Sequence, residues 1–369
     1  MSDPAASSAP RLGVAAPFAC TFTPGVPDLL RSLGVTLALT TYQAGKVALL
    51  SPSGGGLTQL LRTFPQAMGL AVEGAGPSLR LAVATSSEVT VLANAPGLAP
   101  GYAPQPGTYD ALFLPRARYV TGPLDLHDLA WGAHEGRRAL WAVNTRFSAL
   151  CVVDETASFR PVWRPPFVTD LQPEDRCHLN GMALRDGRPA FATAFAATDT
   201  PQGWRADPTR TGVLVEVESG EVVLGGLPMP HSPRLVGGRL FVLASATGAL
   251  LAVDAEAGTA EEVCRLPGFV RGMGHAGDYL FVGLSKLRKG RPFGDLPLAG
   301  RDPQAGVAVV DLHSGRVAGL IRYVSSCEEI FEVQALPGVL RPGVLGPDQD
   351  AAREAVVAPS GCWWSRPEP

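Results

Sequence analysis

The chain alternates short apolar runs with glycine-containing turns, and this pattern recurs along most of its length. The clearest copy has RLFVL at residues 239–243, then Gly248, then ALLAVD at residues 249–254. A second copy has YLFVG at residues 279–283 and GVAVVD at residues 306–311. Runs this short between turns predict β-strands. A repeat of roughly 40–50 residues that holds four strands is typical of a β-propeller blade.

Six segments are predicted to open a blade, each with a first strand that lines a central channel. These segments are residues 64–71, 125–130, 178–183, 230–235, 269–273 and 328–333. Residues 36–64 repeat the pattern without an opening strand, so we predict that they supply the outer three strands of the last blade. This closure pairs the two ends of the chain and removes exposed sheet edges.

The predicted fold class is therefore all-β: a six-bladed β-propeller closed by N-terminal strands that complete the C-terminal blade. A seventh blade would have to lie in residues 93–118, which are rich in Pro and Gly and predict a loop. The domain prediction is a flexible N-terminal tail at residues 1–20, a single propeller domain at residues 21–340 and a C-terminal extension at residues 341–369.

Two long insertions, residues 199–211 and 286–303, fall between the second and third strands of their blades. In a propeller, this turn lies on the face where the inner strands enter the channel. Insertions gathered on one face predict the binding face.

Charge and cysteine usage narrow the classes of function. The net charge is −3, which gives no electrostatic basis for binding nucleic acid or an anionic membrane. No apolar run reaches the ~20 residues that span a bilayer, and residues 1–10 lack the pattern of a secretory signal. The six cysteines have no CxxC spacing and predict reduced thiols in a cytoplasmic protein.

The opening strands can be aligned in layers, because side chains two apart on a strand line the same channel at different depths. One layer is polar and holds Met68, His127, Asn180, His231, Arg271 and Glu329. The layer nearer the entry holds Gln66, Asp125, His178, Met229, Phe269 and Cys327. The deeper layer is wholly apolar and holds Leu70, Leu129, Met182, Pro233, Met273 and Phe331. A polar cup over an apolar floor predicts a ligand site.

The residue types of the cup are compatible with three chemistries. Imidazoles that converge with a carboxylate favour Zn²⁺, Fe²⁺, Mn²⁺ or Cu²⁺ over Ca²⁺. The primary metal ligands would be His127, His178 and His231, with Glu329 as a fourth ligand or a general base. The same imidazoles could instead act as general acids and bases without a metal.

The remaining polar residues of the cup are predicted to hold substrate. Asn180 and Arg271 would orient it, and Arg271 could grip a carboxylate or phosphate in bidentate fashion. The structural alternative is that Arg271 and Glu329, on neighbouring blades, only neutralise each other.

Parts of the sequence resemble known propeller families. HLNGMAL at residues 178–184 resembles the inner strands of the gluconolactonase and senescence-marker propellers, which implies a divalent cation with Glu and Asn or Asp ligands. Asn180 and Glu329 match that pattern, whereas His127 and His231 stand where those families use mainly oxygen ligands. The three histidines are similar in ligand type to the zinc site of the peptidyl-hydroxyglycine lyase propellers.

A longer resemblance covers most of the chain. TTYQAGK, DLHDLAW, CHLNGMAL, PHSPR and CEEIFEV, in that order, resemble a bacterial family of conserved hypothetical propeller proteins with a domain of unknown function. That resemblance implies no activity.

Together these observations predict a metal-dependent enzyme that acts in the channel mouth. Its substrate would be a small polar or anionic metabolite or a modified peptide, and its reaction would be hydrolysis or elimination. An iron or copper oxygenase fits the same constellation. The competing hypothesis is a non-catalytic binding or scaffold propeller that presents the same face to a partner.

Overall fold

The computed structural model describes residues 16–288 and 296–365, and almost all of its regular structure is strand. The first eight strands are β1 (Cys20–Phe22), β2 (Val35–Thr41), β3 (Lys46–Ser53), β4 (Gly56–Thr63), β5 (Leu70–Glu73), β6 (Arg80–Ala84), β7 (Glu88–Asn94) and β8 (Ala111–Val120). The next eight are β9 (Leu126–His134), β10 (Arg137–Asn144), β11 (Ala149–Val152), β12 (Arg160–Trp163), β13 (Leu179–Arg185), β14 (Arg188–Ala194), β15 (Gly212–Glu216) and β16 (Val222–Leu227).

The remaining strands follow the same spacing. They are β17 (Pro230–Val236), β18 (Arg239–Ala244), β19 (Ala249–Asp254), β20 (Thr259–Arg265), β21 (Phe269–Ala276), β22 (Tyr279–Ser285), β23 (Gly306–Asp311), β24 (Arg316–Tyr323), β25 (Glu332–Pro337), β26 (Pro342–Val344), β27 (Ala355–Ala358) and β28 (Gly361–Trp364). The helical segments are α1 (Val26–Leu33), α2 (Asp350–Glu354) and three short 3₁₀ turns, Gly76–Ser78, Pro96–Leu98 and Gly203–Ala206.

Six sheets form a ring, which confirms the six-bladed propeller. Blade 1 is β25-β2-β3-β4, blade 2 is β5 to β8, blade 3 is β9 to β12, blade 4 is β13 to β16, blade 5 is β17 to β20 and blade 6 is β21 to β24. Neighbouring blades share apolar cores. Phe241 of blade 5 and Leu280 of blade 6, for example, belong to one buried cluster. Stacking therefore buries faces that a single blade would expose.

The chain closes the ring as the sequence predicts. β25 pairs with β2, and Glu332 lies opposite Thr40 while Val333 lies opposite Leu39. The inner strand begins at Glu332, four residues later than the predicted opening at Glu328. Two further strands add to the outer edges, since β1 pairs with β24 and β26 pairs with β8 in parallel. These additions cover two outer edges that would otherwise offer unpaired backbone groups.

The region considered for a seventh blade belongs to blade 2. A 3₁₀ turn at Pro96–Leu98 and a loop lead into β8, which is the outer strand of that blade. The β27–β28 hairpin packs beside this loop, where Trp364 contacts Tyr102 with ring centroids 5.9 Å apart. Residues Cys20–Phe22 of the N-terminal segment are the outermost strand of blade 6.

The two insertions lie between the second and third strands of blades 4 and 6, as predicted. The blade 4 insertion contains the 3₁₀ turn that presents Trp204. In the blade 6 insertion, Lys289 and Arg291 lie outside the described residues.

No helix in the described ranges has the length and apolar character needed to cross a bilayer. All six cysteines are unpaired.

Candidate functional site

A cavity of about 330 Å³ opens at the end of the channel where the inner strands begin. Its polar lining consists of Asp125, His127, Asp175, His178, Arg205, His231, Ser285, Lys286, Arg271, Arg288 and Glu329. Its apolar lining consists of Tyr42, Met68, Phe195, Trp204, Met229, Phe269 and Phe331. This volume is at the lower end of the range for ligand sites, which favours a small metabolite.

Irregular backbone places these side chains. Asp125, His178 and Met229 each adopt positive φ, close to 52°, just before their inner strands. The inner strands then contain β-bulges at His127, Asn180, between His231 and Arg234, and between Val270 and Met273. A bulge adds a residue to one strand and re-aims its side chains. The side chains of the inner strands therefore do not alternate strictly between the two sides of the strand at this site.

All three predicted histidines line the cavity, and a hydrogen bond at Nδ1 fixes the ring of each. The Nδ1 of His127 lies 2.9 Å from the carbonyl oxygen of Asp125, which can only accept a hydrogen bond. The Nδ1 of His178 lies 3.1 Å from both carboxylate oxygens of Asp175. In both rings Nδ1 must therefore carry the hydrogen, which leaves Nε2 as an acceptor when the ring is neutral.

His231 is held by a relay of hydrogen bonds. Its Nδ1 lies 2.7 Å from the Ser245 hydroxyl, and that hydroxyl donates to the Val270 carbonyl at 2.5 Å. The Ser245 hydroxyl has a single hydrogen and donates it to Val270, so it can only accept from His231. Nδ1 is therefore again the protonated nitrogen. Within the described residues, no hydrogen bond involves the Nε2 of any of the three rings.

Burial keeps two of these rings neutral. Desolvation, followed by the positive charge of Arg271, lowers the pKa of His127 and of His231 well below the ordinary value of 6.5. Charged imidazole is disfavoured in a buried site beside a guanidinium. At neutral pH, His127 and His231 therefore present bare Nε2 atoms.

Arg271 and Glu329 also meet in the cavity wall, together with Arg288. Glu329 accepts a hydrogen bond from Arg288 at 2.5 Å, whereas Arg271 Nη1 lies 3.8 Å from the same Oε1 atom. The Arg271 guanidinium carbon lies 3.3 Å from the centroid of the Phe331 ring. We call Arg271, Arg288 and Glu329 the upper cluster.

The upper cluster leaves polar atoms without partners. Arg271 and Glu329 are 9% and 7% exposed, yet Arg271 Nη2 and Glu329 Oε2 have no hydrogen-bond partner among the described residues. Burial outweighs the attraction of Glu329 and lowers the pKa of Arg271 to about 9. The guanidinium is therefore under-compensated, and an added anion would stabilise it.

Asn180 does not line the cavity with the other predicted residues. It lies in the β13 bulge, where its Oδ1 accepts a hydrogen bond from Thr193 at 2.8 Å. Its Nδ2 is buried without a partner in the described part of the chain. The bulge accounts for the difference between His178, which lines the cavity, and Asn180, which does not.

The predicted apolar floor is wrong, because a polar group crosses the channel beneath the cup. Arg234 binds both carboxylate oxygens of Asp128, at 2.8 and 3.0 Å, and Glu332 at 3.1 Å. Asp128 and Arg234 follow bulges, which shift the facing of each strand by one residue. Phe331, expected in the floor, lines the cavity instead. We call Asp128, Arg234 and Glu332 the lower cluster.

Sequence reasoning missed Asp175 and the role of Trp204. Asp175 accepts from His178 and also from the Trp204 indole N–H at 3.0 Å. The Trp204 ring lies 4.4 Å from the His178 ring. The blade 4 insertion therefore braces a carboxylate–imidazole pair. The position of Asp175 three residues before His178 was the available signal.

The predicted metal ligands are only partly brought together. The rings of His127 and His178 lie 5.0 Å apart, whereas Phe195 packs against both His178 and His231 at 4.5 and 5.1 Å. Across the described ranges, no group of three or more His, Cys, Asp or Glu side chains has the arrangement of a metal site. The metal assignment to His127, His178, His231 and Glu329 therefore stays a prediction.

Comparisons with known proteins agree with the fold. A family model described as a domain of unknown function (DUF4915) matches residues 24–345. Similar solved structures include a chain of a nidogen/laminin complex, at 10% identity and a TM-score of 0.52 over 83% of this chain and 99% of that chain.

A second similar structure is a protein of unknown function from Bacteroides caccae, at 10% identity and a TM-score of 0.50 over 82% of this chain and 99% of that chain. No curated protein matches the chain. Likenesses at this level of identity bear on the fold alone.

Proposed function

The chain belongs to the DUF4915 family, and we propose from the chemistry of its cavity that it binds a small anionic metabolite and acts on it by acid–base chemistry. The observation that carries this proposal is Arg271. It is a buried guanidinium that lines the cavity and donates no hydrogen bond within the described residues.

The state of Arg271 favours an anionic ligand. An unmade hydrogen bond to a buried charged donor costs about 1–3 kcal/mol or more, which a ligand carboxylate or phosphate would recover. Glu329 attracts Arg271 but accepts no hydrogen bond from it, because its nearer oxygen, Oε1, is 3.8 Å away and is already held by Arg288. Lys286 and Arg288 on the same side of the cavity add to the positive potential there.

The imidazoles supply the acid–base component. Neutral His127 and His231, with Nδ1 fixed as donor, can take a proton on Nε2. Phe195, Trp204 and Phe331 reduce water contact around them, which strengthens electrostatic interactions with a bound anion. The protein is therefore proposed to be an enzyme and not only a binding module.

Calorimetric titration with benzoate and with inorganic phosphate tests the anion site. We expect saturable binding that weakens with added salt and is lost in Arg271→Met. The matched control is Arg239→Met, which removes an arginine that also stacks on a phenylalanine, at 5.0 Å, but lies outside the cavity lining. Equal binding by Arg271→Met and the unmodified protein would overturn the proposal.

The acid–base component has its own test. Bound carbon acids in deuterium oxide should exchange a C–H hydrogen, which proton NMR detects as a loss of signal. The exchange should disappear in a His127→Asn, His231→Asn double variant that still binds anions. Binding without exchange would support the non-catalytic alternative.

A metal-dependent hydrolase or lyase is the second candidate. The specific observation in its favour is that three cavity imidazoles are each anchored through Nδ1, as metal-ligating histidines usually are. His127 and His178 would then hold the ion, which would activate water or polarise a carbonyl. Elemental analysis of protein purified without chelators tests this candidate. Stoichiometric zinc, iron, manganese or copper that is lost in His127→Ala would favour it.

A further inference from the structure

Most charged groups of the cavity lie on two walls. The exceptions are Glu329, which pairs with Arg288, and the exposed Arg205, which stacks on Trp204 and binds Gln202. Arg271, Lys286 and Arg288 come from blade 6 and its insertion. Asp125 and Asp175 come from the segments that lead into blades 3 and 4, beside His127 and His178. Blades 3 and 6 face each other across a six-membered ring. A ligand in the cavity therefore meets a basic wall on one side and an acidic, imidazole-bearing wall on the other.

Within the described residues, one of the two carboxylates of the acidic wall lacks a lysine or arginine partner. Asp125 is paired with Arg146 at 3.3 Å. Asp175, by contrast, accepts only from the His178 and Trp204 rings, and no Lys or Arg in the described part of the chain pairs with it. Its side chain is only 20% exposed, so bulk solvent screens it incompletely. This wall would attract a positive group.

The same wall offers two acceptors for a positive group. His127 and His178 lie with their ring centroids 5.0 Å apart, and in the described residues the Nε2 atom of each has no hydrogen-bond partner and can accept one when the ring is neutral. An ammonium group has three hydrogens to donate. Trp204 and Phe195 pack on His178 at 4.4 and 4.5 Å and enclose this place, and the exposed Arg205 lies over the Trp204 ring at 4.3 Å.

The two walls are close together. The Phe331 ring contacts both of them, with its centroid 3.3 Å from the Arg271 guanidinium carbon and 5.4 Å from the His127 ring. The walls are thus about one aromatic ring apart. A ligand that spans them must carry its opposite charges on neighbouring atoms.

We propose that the ligand is a compact zwitterion, such as an α-amino acid, whose carboxylate binds Arg271 and whose ammonium binds between His127 and His178 under the charge of Asp175. This inference rests on the proposed function, because it uses the same anion site, and it adds the positive group and its location.

Three matched probes test the inference in the unmodified protein. Phenylalanine carries both charges, 3-phenylpropionate lacks the ammonium, and 2-phenylethylamine lacks the carboxylate. We expect calorimetry to give phenylalanine an affinity at least about tenfold above that of either analogue, as one additional charge-assisted contact provides. This comparison needs no variant and so does not depend on a variant's folding.

Two variants locate the positive group. Asp175→Asn should weaken phenylalanine binding about tenfold and leave 3-phenylpropionate unchanged, because only the zwitterion uses that charge. Asp207→Asn is the control, since Asp207 lies outside the cavity lining and is paired with Arg210 at 2.7 Å, and it should change neither affinity by more than about twofold. Arg271→Met should weaken both ligands.

Each other outcome is decisive. If 3-phenylpropionate binds as well as phenylalanine and Asp175→Asn is silent, the zwitterion is wrong and the anion site stands. If 3-phenylpropionate binds tightly only when Zn²⁺ is added, a metal ion occupies the place proposed for the ammonium, which also overturns the inference. If neither probe binds and benzoate and phosphate do not bind either, the proposed function fails with it.

Discussion

The upper and lower clusters both place arginine beside buried carboxylates, and they differ in whether the hydrogen bonds of the arginine are made. In the lower cluster, Arg234 also donates to the carbonyls of Met182 and Met273, at 3.0 and 3.2 Å. In the upper cluster, Arg271 donates nothing within the described residues, and one oxygen of Glu329 has no partner.

The electrostatics of the two arginines differ in the same way. Burial alone would lower the pKa of Arg234. The negative charges of Asp128 and Glu332 more than offset the effect of burial and raise this pKa above its ordinary value. For Arg271, burial prevails and lowers the pKa to about 9. A buried polar group whose hydrogen bonds are all made stabilises the fold, whereas one with unmade hydrogen bonds indicates a place for a ligand.

The lower cluster ties the ring together. Arg234 of blade 5 contacts groups in blades 3, 4, 6 and 1 through Asp128, Met182, Met273 and Glu332. Backbone N–H groups of Met182 and Met273 in turn donate to Asp128 and Glu332, at 3.1 and 3.0 Å. No other described side chain joins so many blades at the channel axis through hydrogen bonds.

The largest expected effect is therefore on stability, from Arg234→Met. Removing the cation leaves two buried carboxylates without a counter-charge, so the free energy of unfolding should fall by about 3–5 kcal/mol. Denaturant unfolding followed by tryptophan fluorescence measures the change. A loss below about 1 kcal/mol would mean that the lower cluster does not hold the ring together.

A smaller effect is expected from pH. Burial, with the negative charge of Asp128 adding to it, raises the pKa of Glu332 from its ordinary 4.5 to about 7. Between these values the native state holds a proton that the unfolded state has released, so stability falls as pH rises from 4.5 to 7. The total change should be on the order of 1–3 kcal/mol.

Unfolding measured across this pH window in the unmodified protein and in Glu332→Gln checks the assignment. The variant should lose the slope, because its amide does not titrate. A slope of the same size in both proteins would assign the effect to another group.

The smallest expected effect on stability is that of Arg271→Met. Because Arg271 makes no hydrogen bond in the described structure and Glu329 keeps Arg288, the free energy of unfolding should change by less than about 1 kcal/mol, or rise. Thermal and denaturant unfolding of Arg271→Met and Arg234→Met, measured together, compare the destabilisation that each variant causes. Equal destabilisation by the two variants would remove the distinction between the clusters.

The ring and its closure could be predicted from the sequence because they depend on repeated apolar strands. The pairing of Thr40 with Glu332 follows from a count of strands in each blade. The histidines of the cup could be predicted as well, since they open three consecutive blades. All three line the cavity.

The orientation of individual side chains could not be predicted with the same success. One bulge turns Asn180 toward Thr193, and others bring Asp128 and Arg234 together in the channel. A bulge adds one residue without changing the apolar pattern on either side of it. Alternation therefore predicted an apolar floor where the lower cluster lies, although Asp128, Arg234 and Glu332 all fall within motifs that the sequence singles out, DLHDLAW, PHSPR and CEEIFEV.

The central claim is that the upper cluster is completed by a ligand anion, and a crystal structure with 4-bromobenzoate tests it most directly. The anomalous signal of bromine locates the probe without ambiguity. The claim predicts a carboxylate about 2.7–3.1 Å from the guanidinium nitrogens of Arg271, with the lower cluster unchanged. A structure in which protein groups or ordered water satisfy Arg271, and the probe binds elsewhere or nowhere, would contradict it.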